Sequence, residues 1–333
     1  MFIIENYSVA VLFCFITMLC WGSWANTQKL ASKSWRFELF YWDYVIGIFL
    51  FSILNAFTLG SIGEGGRPFL QDIQQADPAN ILSAFTGGVI FNAANILVVA
   101  AISIAGMSVA FPVGIGIALI VGVVINYFGS AKGDPVLLFS GVILVAAAII
   151  LNARAYRRMM SARNKVSEKG ILLAVIGGIL MSLFYRFIAR SMDLDDFHSP
   201  AEGKMTPYTA VFIFSTGILI SNFLFNTLLI RKPFEGAPTS YAEYFTGKFK
   251  THMVGVLGGI IWGIGNGFNL IAAGKAGAAI SYGLGQGATL VGALWGVFIW
   301  KEFKDGPKGT SSLLGLMFLF FLAGIALIII AGL

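Results

Sequence analysis

Two pairs of asparagines stand inside long apolar segments of this 333-residue chain. Asn92 precedes Asn95 by three positions, and Asn266 precedes Asn269 by the same interval. Residues three apart on a helix share a face, so the two amides of each pair are expected to point the same way. An amide offers two donors and an acceptor without a charge to desolvate, which suits a neutral solute rich in hydrogen-bonding groups. The alternative is that these amides tie helices together, a common use of Asn in membranes.

Further polar and aromatic residues accompany the asparagines. Gln286 adds a fifth amide, and rings occur in the apolar segments at Trp21, Trp24, Tyr185, Trp262, Tyr282 and Trp295. A ring beside an amide can stack on a sugar face or a flat heterocycle, so the amides and these rings form the predicted binding site. Trp and Tyr near the end of a span are more often interfacial anchors, which is the role predicted for Trp35, Tyr41, Trp42 and Trp300.

Two charged residues also lie inside the apolar segments. Asp43 sits only about 6 Å from one end of its segment, at about 1.5 Å per helical residue. It is predicted to carry a coupling proton, with an ion pair to Lys29 or Lys301 as the structural alternative. Arg186 lies toward the end of another segment, where it either extends to water or contributes to substrate binding, and we include it in the predicted site.

Several protein classes are disfavoured by the sequence. No Asp or Glu lies near the middle of a predicted span, and exporters that trade protons for cationic drugs need a buried acid there. The chain has no GxxxxGK[ST] sequence, so nothing points to ATP-driven transport. Cys14, Cys20, His198 and His252 lack the spacing of a disulfide framework or a metal site. We predict no catalytic residue, no cofactor and no bound metal.

Membrane helices must position these residues. Hydrophobic residues make up 57% of the chain and charged residues 11%, and the apolar residues fall in segments of about 20, the length that spans hydrocarbon. The first apolar run lacks a basic leader and a cleavage site, so it is predicted to be a retained helix. The sequence predicts an all-α membrane protein with ten spans near residues 7–28, 39–59, 80–102, 107–128, 136–153, 170–190, 207–230, 251–273, 277–300 and 311–332.

One spaced pattern occurs twice. The pattern is Gly-x6-Asn-x10-Gly-x7-Gly-x-Gly-x2-Leu, where x is any residue. It runs from Gly88 to Leu119 and again from Gly259 to Leu290. This repetition indicates an internal duplication, and a duplicated bundle of membrane helices is typical of secondary transporters with related halves. We predict a first five-helix repeat at 1–155, a basic linker at 156–169 and a second five-helix repeat at 170–333.

The basic residues are shared unevenly between alternate loops. Sixteen Lys and Arg residues fall on one side of the predicted membrane, within 29–36, 154–169, 231–250 and 301–308, and five fall on the other. By the positive-inside rule the sixteen-residue side is cytoplasmic, which places both termini outside and predicts a multi-pass protein of the cell membrane, inner or plasma. An odd number of spans separates the halves, so the two repeats are predicted to be inverted. This distribution, rather than a nucleic-acid partner, accounts for the net charge of +6.

Glycines recur inside the fourth and ninth predicted spans. They are Gly114, Gly116 and Gly122 in the fourth, and Gly283, Gly285 and Gly287 in the ninth. Such a series usually lets two helix backbones approach closely. The alternative is unwinding of the backbone at a binding site, as in some transporters.

Several local sequences together resemble one transporter family. Gly265-Asn266-Gly267-Phe268, Gly274-Lys275-Ala276-Gly277, Trp295-Gly296 and Glu302-Phe303 resemble the block formed by helices eight and nine of ureide permeases, a branch of the drug/metabolite transporter superfamily near the glucose/ribose porter and rhamnose transporter groups. Asp43-Tyr44 resembles an Asp-Tyr pair of that family's second helix, and Gly22-Ser23-Trp24 its first-helix Gly-Thr-Trp. The resemblance covers nearly the whole chain.

Two departures limit what the resemblance implies. Lys275 stands where the family has glutamine, and the central linker lacks the long cytosolic loop of the plant members. A compact relative is implied, with proton-coupled uptake of neutral ureides, nucleobases or related solutes, and of sugars if the porter branch is nearer.

The sequence thus leads to one principal hypothesis, a secondary active transporter that works by alternating access. Its solute is predicted to be a small neutral polar molecule: a ureide, nucleobase, nucleoside or sugar. Asn95 and Asn266 would bind it from opposite halves, and a proton, with sodium as the alternative ion, would drive it. A drug or metabolite exporter and a non-transporting receptor or scaffold are the competing hypotheses.

Overall fold

The computed structural model describes residues 1–31, 35–105, 107–159, 167–234 and 236–333. Within these residues the secondary structure is helical, without strands. The helices are α1 (Tyr7–Ser23), α2 (Ala25–Ala31), α3 (Phe37–Phe57), α4 (Phe69–Gln75), α5 (Pro78–Ala105), α6 (Met107–Gly129), α7 (Pro135–Met159), α8 (Glu168–Ser191), α9 (Pro207–Arg231), α10 (Tyr241–Phe245), α11 (Phe249–Ala276), α12 (Ala278–Gly285), α13 (Ala288–Leu294) and α14 (Thr310–Ile330).

The helix lengths fit a membrane protein. In the described part of the chain nine helical segments are long and apolar enough to cross a bilayer, and a shorter apolar stretch, Val113–Gly129, belongs to α6. Two of the nine are composite, because α1 continues into α2, and α12 and α13 continue through a π-helical turn to Ile299. The prediction of an all-α membrane protein is confirmed. Residues 160–166 of the predicted linker, and Lys33 and Gly106, lie outside the described residues.

The repeated pattern coincides with two close helix contacts. Gly88 of α5 packs against the backbone carbonyl of Phe214 in α9, and Gly259 of α11 packs against that of Tyr44 in α3. Gly88 and Gly259 occupy the same position of the pattern. A helix from each half therefore packs on a helix from the other half through an equivalent glycine.

The two ends of the bundle differ in composition. We call the end that carries Lys29, Arg36, Arg158 and Lys301 the basic end. The opposite end, which we call the loop end, carries the long connections 58–77 and 192–206 and the N-terminal residues. Helices α1, α5 and α7 end at the basic end, and helices α3, α8 and α11 begin there.

Contacts between the two long connections close the loop end. The Arg67 guanidinium donates to Asp72 Oδ1 at 3.0 Å and to the carbonyl oxygens of Pro200 and Lys204 at 2.9 and 2.6 Å. Asp72 is fully buried and also accepts a hydrogen bond from the Thr206 amide at 2.8 Å. Arg67 and Asp72 are thus paired within the first connection, and both hydrogen-bond to the second connection.

Candidate functional site

A cavity of about 490 Å³ enters the bundle at the basic end and reaches its middle. Its walls include α1 from Trp21 onward, α5 from Phe91 onward and the last turns of α7 from Asn152. These stretches are the parts of α1, α5 and α7 that lie nearest the basic end. The cavity is therefore open toward that end, while the loop end is closed.

Half of the predicted binding residues line this cavity. They are Trp21, Trp24, Asn95, Trp262, Gln286 and Trp295. The structure places the other six outside the lining: Asn92, Asn266, Asn269, Tyr185, Tyr282 and Arg186. The lining residues come from both halves of the chain, so the cavity lies between the halves.

Amides with unpaired polar atoms face the cavity. Asn95 donates its amide nitrogen to Tyr41 Oη at 3.2 Å, and no described residue donates to its carbonyl oxygen. The Gln286 side chain makes no hydrogen bond within the described residues, and Asn152 Oδ1 has no partner there either. Asn152 was missed by the sequence reasoning, because it lies close to the end of its span. The cavity wall therefore carries amide groups with polar atoms that no described residue pairs.

A break in the ninth membrane helix positions Gln286. Helix α12 ends at Gly285, α13 begins at Ala288, and between them the Gly287 amide bonds to the Leu284 carbonyl, three residues back, at 2.9 Å. A side chain at Gly285 would meet the Trp21 ring at 2.8 Å, so this glycine also permits close packing. The glycine series of this span therefore includes both a close contact and an interruption at the cavity wall. Interrupted helices of this kind form the binding sites of several transporter folds.

Aromatic rings form the inner end of the cavity. The Trp262 ring stacks on Trp21 at a centroid distance of 5.9 Å and lies 4.4 Å from the ring of Phe91. Phe214 and Tyr44 pack against Trp262 from α9 and α3, at 6.3 and 6.5 Å. Phe91 was missed because a phenylalanine in an apolar helix carries no sequence signal. These stacked faces suit a flat, weakly polar surface of a solute.

The only charged side chains that line the cavity in the described part of the chain lie at its mouth. Lys29 Nζ pairs with Glu302 Oε1 at 2.6 Å, and Tyr156 donates to Glu302 Oε2 at 2.7 Å. The Lys29 ammonium also lies 4.2 Å from the ring centroid of Trp300, and Trp300 donates to Asn26 Oδ1 at 2.7 Å. From the sequence, Lys29 was expected on the basic side and as a possible ion-pair partner of Asp43, and Trp300 was expected to be an interfacial anchor. The sequence signal for this contact was a pair of opposite charges, Lys29 just after the first predicted span and Glu302 just after the ninth.

Asp43 lies outside the cavity, in a cluster at the basic end. Its carboxylate accepts hydrogen bonds from Trp35 Nε1 at 3.1 Å and Tyr244 Oη at 2.7 Å, and it contacts His252 Nδ1 at 2.8 Å. Asp43 thus pairs with His252, to which the sequence reasoning assigned no role, whereas Lys29 pairs with Glu302. Burial and the bond to Asp43 raise the pKa of the Tyr244 phenol, which keeps Tyr244 a donor. Trp35 is buried here, so the prediction of an interfacial anchor was wrong.

Two of the predicted asparagines tie helices together. Asn92 accepts from Tyr41 Oη at 2.9 Å and donates to Ser221 Oγ at 2.9 Å, which links α5 to α3 and α9. Asn269 donates to the Ser281 carbonyl at 2.8 Å, which links α11 to α12. Tyr41 is fully buried between Asn92 and Asn95, so it is not an interfacial anchor.

The remaining predicted residues lie deeper or nearer the loop end. Tyr282 donates to the carbonyls of Ala118 and Met181 at 3.1 and 3.3 Å, and the ring of Tyr185 packs on Tyr282 at 5.1 Å. Arg186 lies beside Gly129, the last residue of α6. Asn266 is buried in α11, four residues beyond Trp262 toward the loop end.

Comparisons with known proteins identify relatives of this chain and a structure with the same fold. The chain is 23% identical over 384 residues to ureide permease 1 of Arabidopsis thaliana, covering 98% of each chain. It is 38% identical over 68 residues to the probable glucose uptake protein GlcU of Staphylococcus aureus (strain MRSA252), covering 20% of this chain and 24% of that one. A solved crystal structure of another protein superposes with a TM-score of 0.62 and 16% identity, covering 97% and 96% of the two chains, which shows a shared fold.

A family model covers almost the whole bundle. The model of the ureide permease family matches residues 40–167 and 154–331, which together extend from α3 to the end of α14. The chain therefore belongs to the ureide permease family, a family of membrane transporters.

Proposed function

We propose that this protein is a secondary active transporter that carries a small neutral polar solute through the central cavity by alternating access. The cavity itself is the observation that supports this proposal, because uncharged amides from both halves, Asn95 and Gln286, lie there among stacked aromatic rings. Charges are confined to the mouth in the described lining, at Lys29 and Glu302. Binding a neutral solute in the inner part avoids the desolvation of a charge.

Ureides and nucleobases are the first candidates for the solute. Both are flat and carry adjacent N–H and C=O groups, which match the donor and acceptor of a side-chain amide. The similarity to ureide permease 1 supports this class. A sugar is the second candidate, because aromatic rings also stack on sugar faces and a part of the chain is similar to a glucose uptake protein.

The positive-inside rule supports an orientation in which the basic end faces the cytoplasm and both termini lie outside, in the cell membrane. The cavity then opens to the cytoplasm in this conformation. Reciprocal packing through Gly88 and Gly259 supports two inverted five-helix repeats, 1–155 and 170–333, which could exchange conformations to open the other side.

We assign proton coupling to Asp43, together with His252. A carboxylate inside a membrane helix is costly and usually functional. Two of the donors to Asp43, Trp35 and Tyr244, belong to segments that flank the membrane helices. Protonation of Asp43 would weaken these bonds, and so couple the proton to movement at the basic end. Sodium is the alternative ion, since carboxylates also bind it.

A binding screen followed by uptake tests the proposal. Purified protein is screened by thermal shift with allantoin, uracil, nucleosides, pentoses and hexoses, and the best hit is followed into proteoliposomes. We expect saturable uptake that a pH gradient drives. Binding without any transmembrane movement would instead indicate a receptor, and movement only against an opposed proton gradient would indicate an exporter.

A further inference from the structure

Unpaired polar atoms surround one stretch of α11 on the closed side of the aromatic rings. The side-chain oxygens of Asn266 and Asn269 are buried without a hydrogen-bond partner among the described residues, and so are both amide atoms of Asn55. The indole nitrogen of Trp21 is likewise unpaired. A side chain on Gly265 would meet this nitrogen at 2.9 Å, and one on Gly267 would meet Asn55 Nδ2 at 3.3 Å. Donors and acceptors thus lie unpaired around residues 265–269.

Such a group calls for an explanation beyond packing. Buried polar side chains in proteins are nearly always hydrogen-bonded, because an unpaired one loses its bonds to water without replacement. Asn266 is 1% exposed and Asn55 is 2% exposed. Asn92, by contrast, uses both ends of its amide to connect helices. Asn55 and Asn266 are therefore poorly explained as helix ties.

The repeated pattern relates this region to the open cavity. Phe91 and Trp262 are equivalent positions of the two copies, as are Asn95 and Asn266. The rings of Phe91 and Trp262 meet at 4.4 Å in the middle of the bundle. Because α5 and α11 run in opposite directions, Asn95 lies one turn from this ring pair toward the basic end. Asn266 lies one turn from it toward the loop end.

We propose that the Phe91–Trp262 ring pair separates two half-sites, and that Asn266, with Asn55 and Asn269, is the half-site used when the loop end is open. It would bind the same class of neutral solute, because it offers both amide donors and amide acceptors. Asn95 faces the cavity in this conformation, and Asn266 takes the corresponding place in the other. The inference rests on the proposed alternating access, and it adds Asn55 and a gating role for Trp262.

Side-specific thiol labelling tests the inference. Cys14 and Cys20 are first replaced by alanine, and Asn266→Cys and Asn95→Cys are then made singly in this background. A membrane-impermeant thiol reagent is applied to vesicles of known orientation, so that it reaches one end of the protein at a time. We expect Asn266→Cys to be labelled from the loop end and not from the basic end, and Asn95→Cys to show the reverse.

Matched controls keep the result interpretable. Asn92 is a buried asparagine whose amide bonds at both ends, to Tyr41 and Ser221, and Asn92→Cys is expected to resist labelling from both ends. If Asn266→Cys does not fold, Asn55→Cys serves as the reporter on the same side. Adding Trp262→Ala to Asn266→Cys is expected to admit the reagent from the basic end.

The outcomes separate this inference from the proposed function. Labelling of position 266 from the basic end alone, or from neither end while the protein transports solute, would overturn the half-site. The labelling needs no solute, so an absence of uptake for every tested solute would count against the proposed function only. Labelling from the loop end would still support the half-site in that case.

Discussion

At the scale of single residues, Asn92 and Asn95 of α5 differ in role: one connects helices and the other lines the cavity. Asn92 connects Tyr41 to Ser221, whereas the side-chain carbonyl of Asn95, beside the cavity, accepts no hydrogen bond from a described residue. Both belong to the same helix and differ by one turn. They form a matched pair for separating stability from binding.

The matched pair gives the first prediction. Asn92→Ala leaves Tyr41 and Ser221 without their buried partner, so it should lower the free energy of unfolding by about 1–3 kcal/mol. Asn95→Ala should instead weaken solute binding about fivefold, the equivalent of one hydrogen bond of about 1 kcal/mol. Thermal unfolding in detergent and equilibrium binding measure the two effects. Wild-type affinity in a well-folded Asn95→Ala protein would remove Asn95 from the site.

The second prediction concerns the buried carboxylate. Asp43→Asn keeps the size of the side chain but cannot exchange a proton, so uptake should lose its response to a pH gradient while exchange of solute continues. His252→Ala should alter the pH dependence of uptake, because it removes a hydrogen-bond partner of Asp43. Both are measured in proteoliposomes with the membrane potential clamped.

A control for the carboxylate lies in the same helix. Glu38 is the second residue of α3 and pairs with Arg36 at 3.0 Å, so Glu38→Gln should leave coupling intact. An Asp43→Asn protein that still responded fully to the pH gradient would place the proton site elsewhere.

At the scale of helices, two glycines set the distance between the halves. Gly88→Ala and Gly259→Ala would each push a methyl group into a backbone carbonyl of the neighbouring helix. Overpacking of this kind costs about 1–3 kcal/mol. We expect both variants to unfold at lower temperature by similar amounts, because the two contacts are equivalent.

Glycines in open space provide the comparison for this third prediction. Among the described residues, a side chain at Gly315 in α14 would meet no atom within 4 Å, and the same holds for Gly116 in α6. Alanine there should be neutral or mildly stabilising, since glycine is a poor helix former. Equal destabilisation at all four positions would mean that helix propensity, not close packing, governs the effect.

The sequence could predict the helices but only part of the site. Length and hydropathy determine where a chain crosses a bilayer, and the observed helices overlie the ten predicted spans. Which residues share a cavity depends on helix rotation and packing, which a single sequence does not contain. Asn92 and Asn95 are the same residue type on adjacent turns, yet one is a tie and the other lines the cavity. The proposed role of His252 depends on its contact with Asp43, which lies more than 200 positions away in the sequence.

At the scale of the whole molecule, one end of the bundle is open and the other is closed. The cavity opens at the basic end. The loop end is closed by the ion pair of Arg67 with Asp72 and by the hydrogen bonds from these two residues to residues 200–206. In a transporter with two access states, contacts found only in one state set the balance between them. If the proposed alternating access holds, the bonds from Arg67 and Asp72 to residues 200–206 are expected to stabilise the conformation described here.

Breaking this pair gives the fourth prediction. Asp72 is fully buried and Arg67 partly exposed, so Asp72→Asn should cost the loop-closed state about 3 kcal/mol, the lower end of the range for a broken buried pair. That energy corresponds to a shift of roughly a hundredfold toward the loop-open state. Solute affinity should fall when measured from the basic end and rise when measured from the loop end.

The exposed pair of Lys132 with Asp195 is the control, because Asp195 is 83% exposed and Asp195→Asn should change neither affinity. Equal changes from both ends in Asp72→Asn would mean that the pair maintains the fold without selecting a conformation.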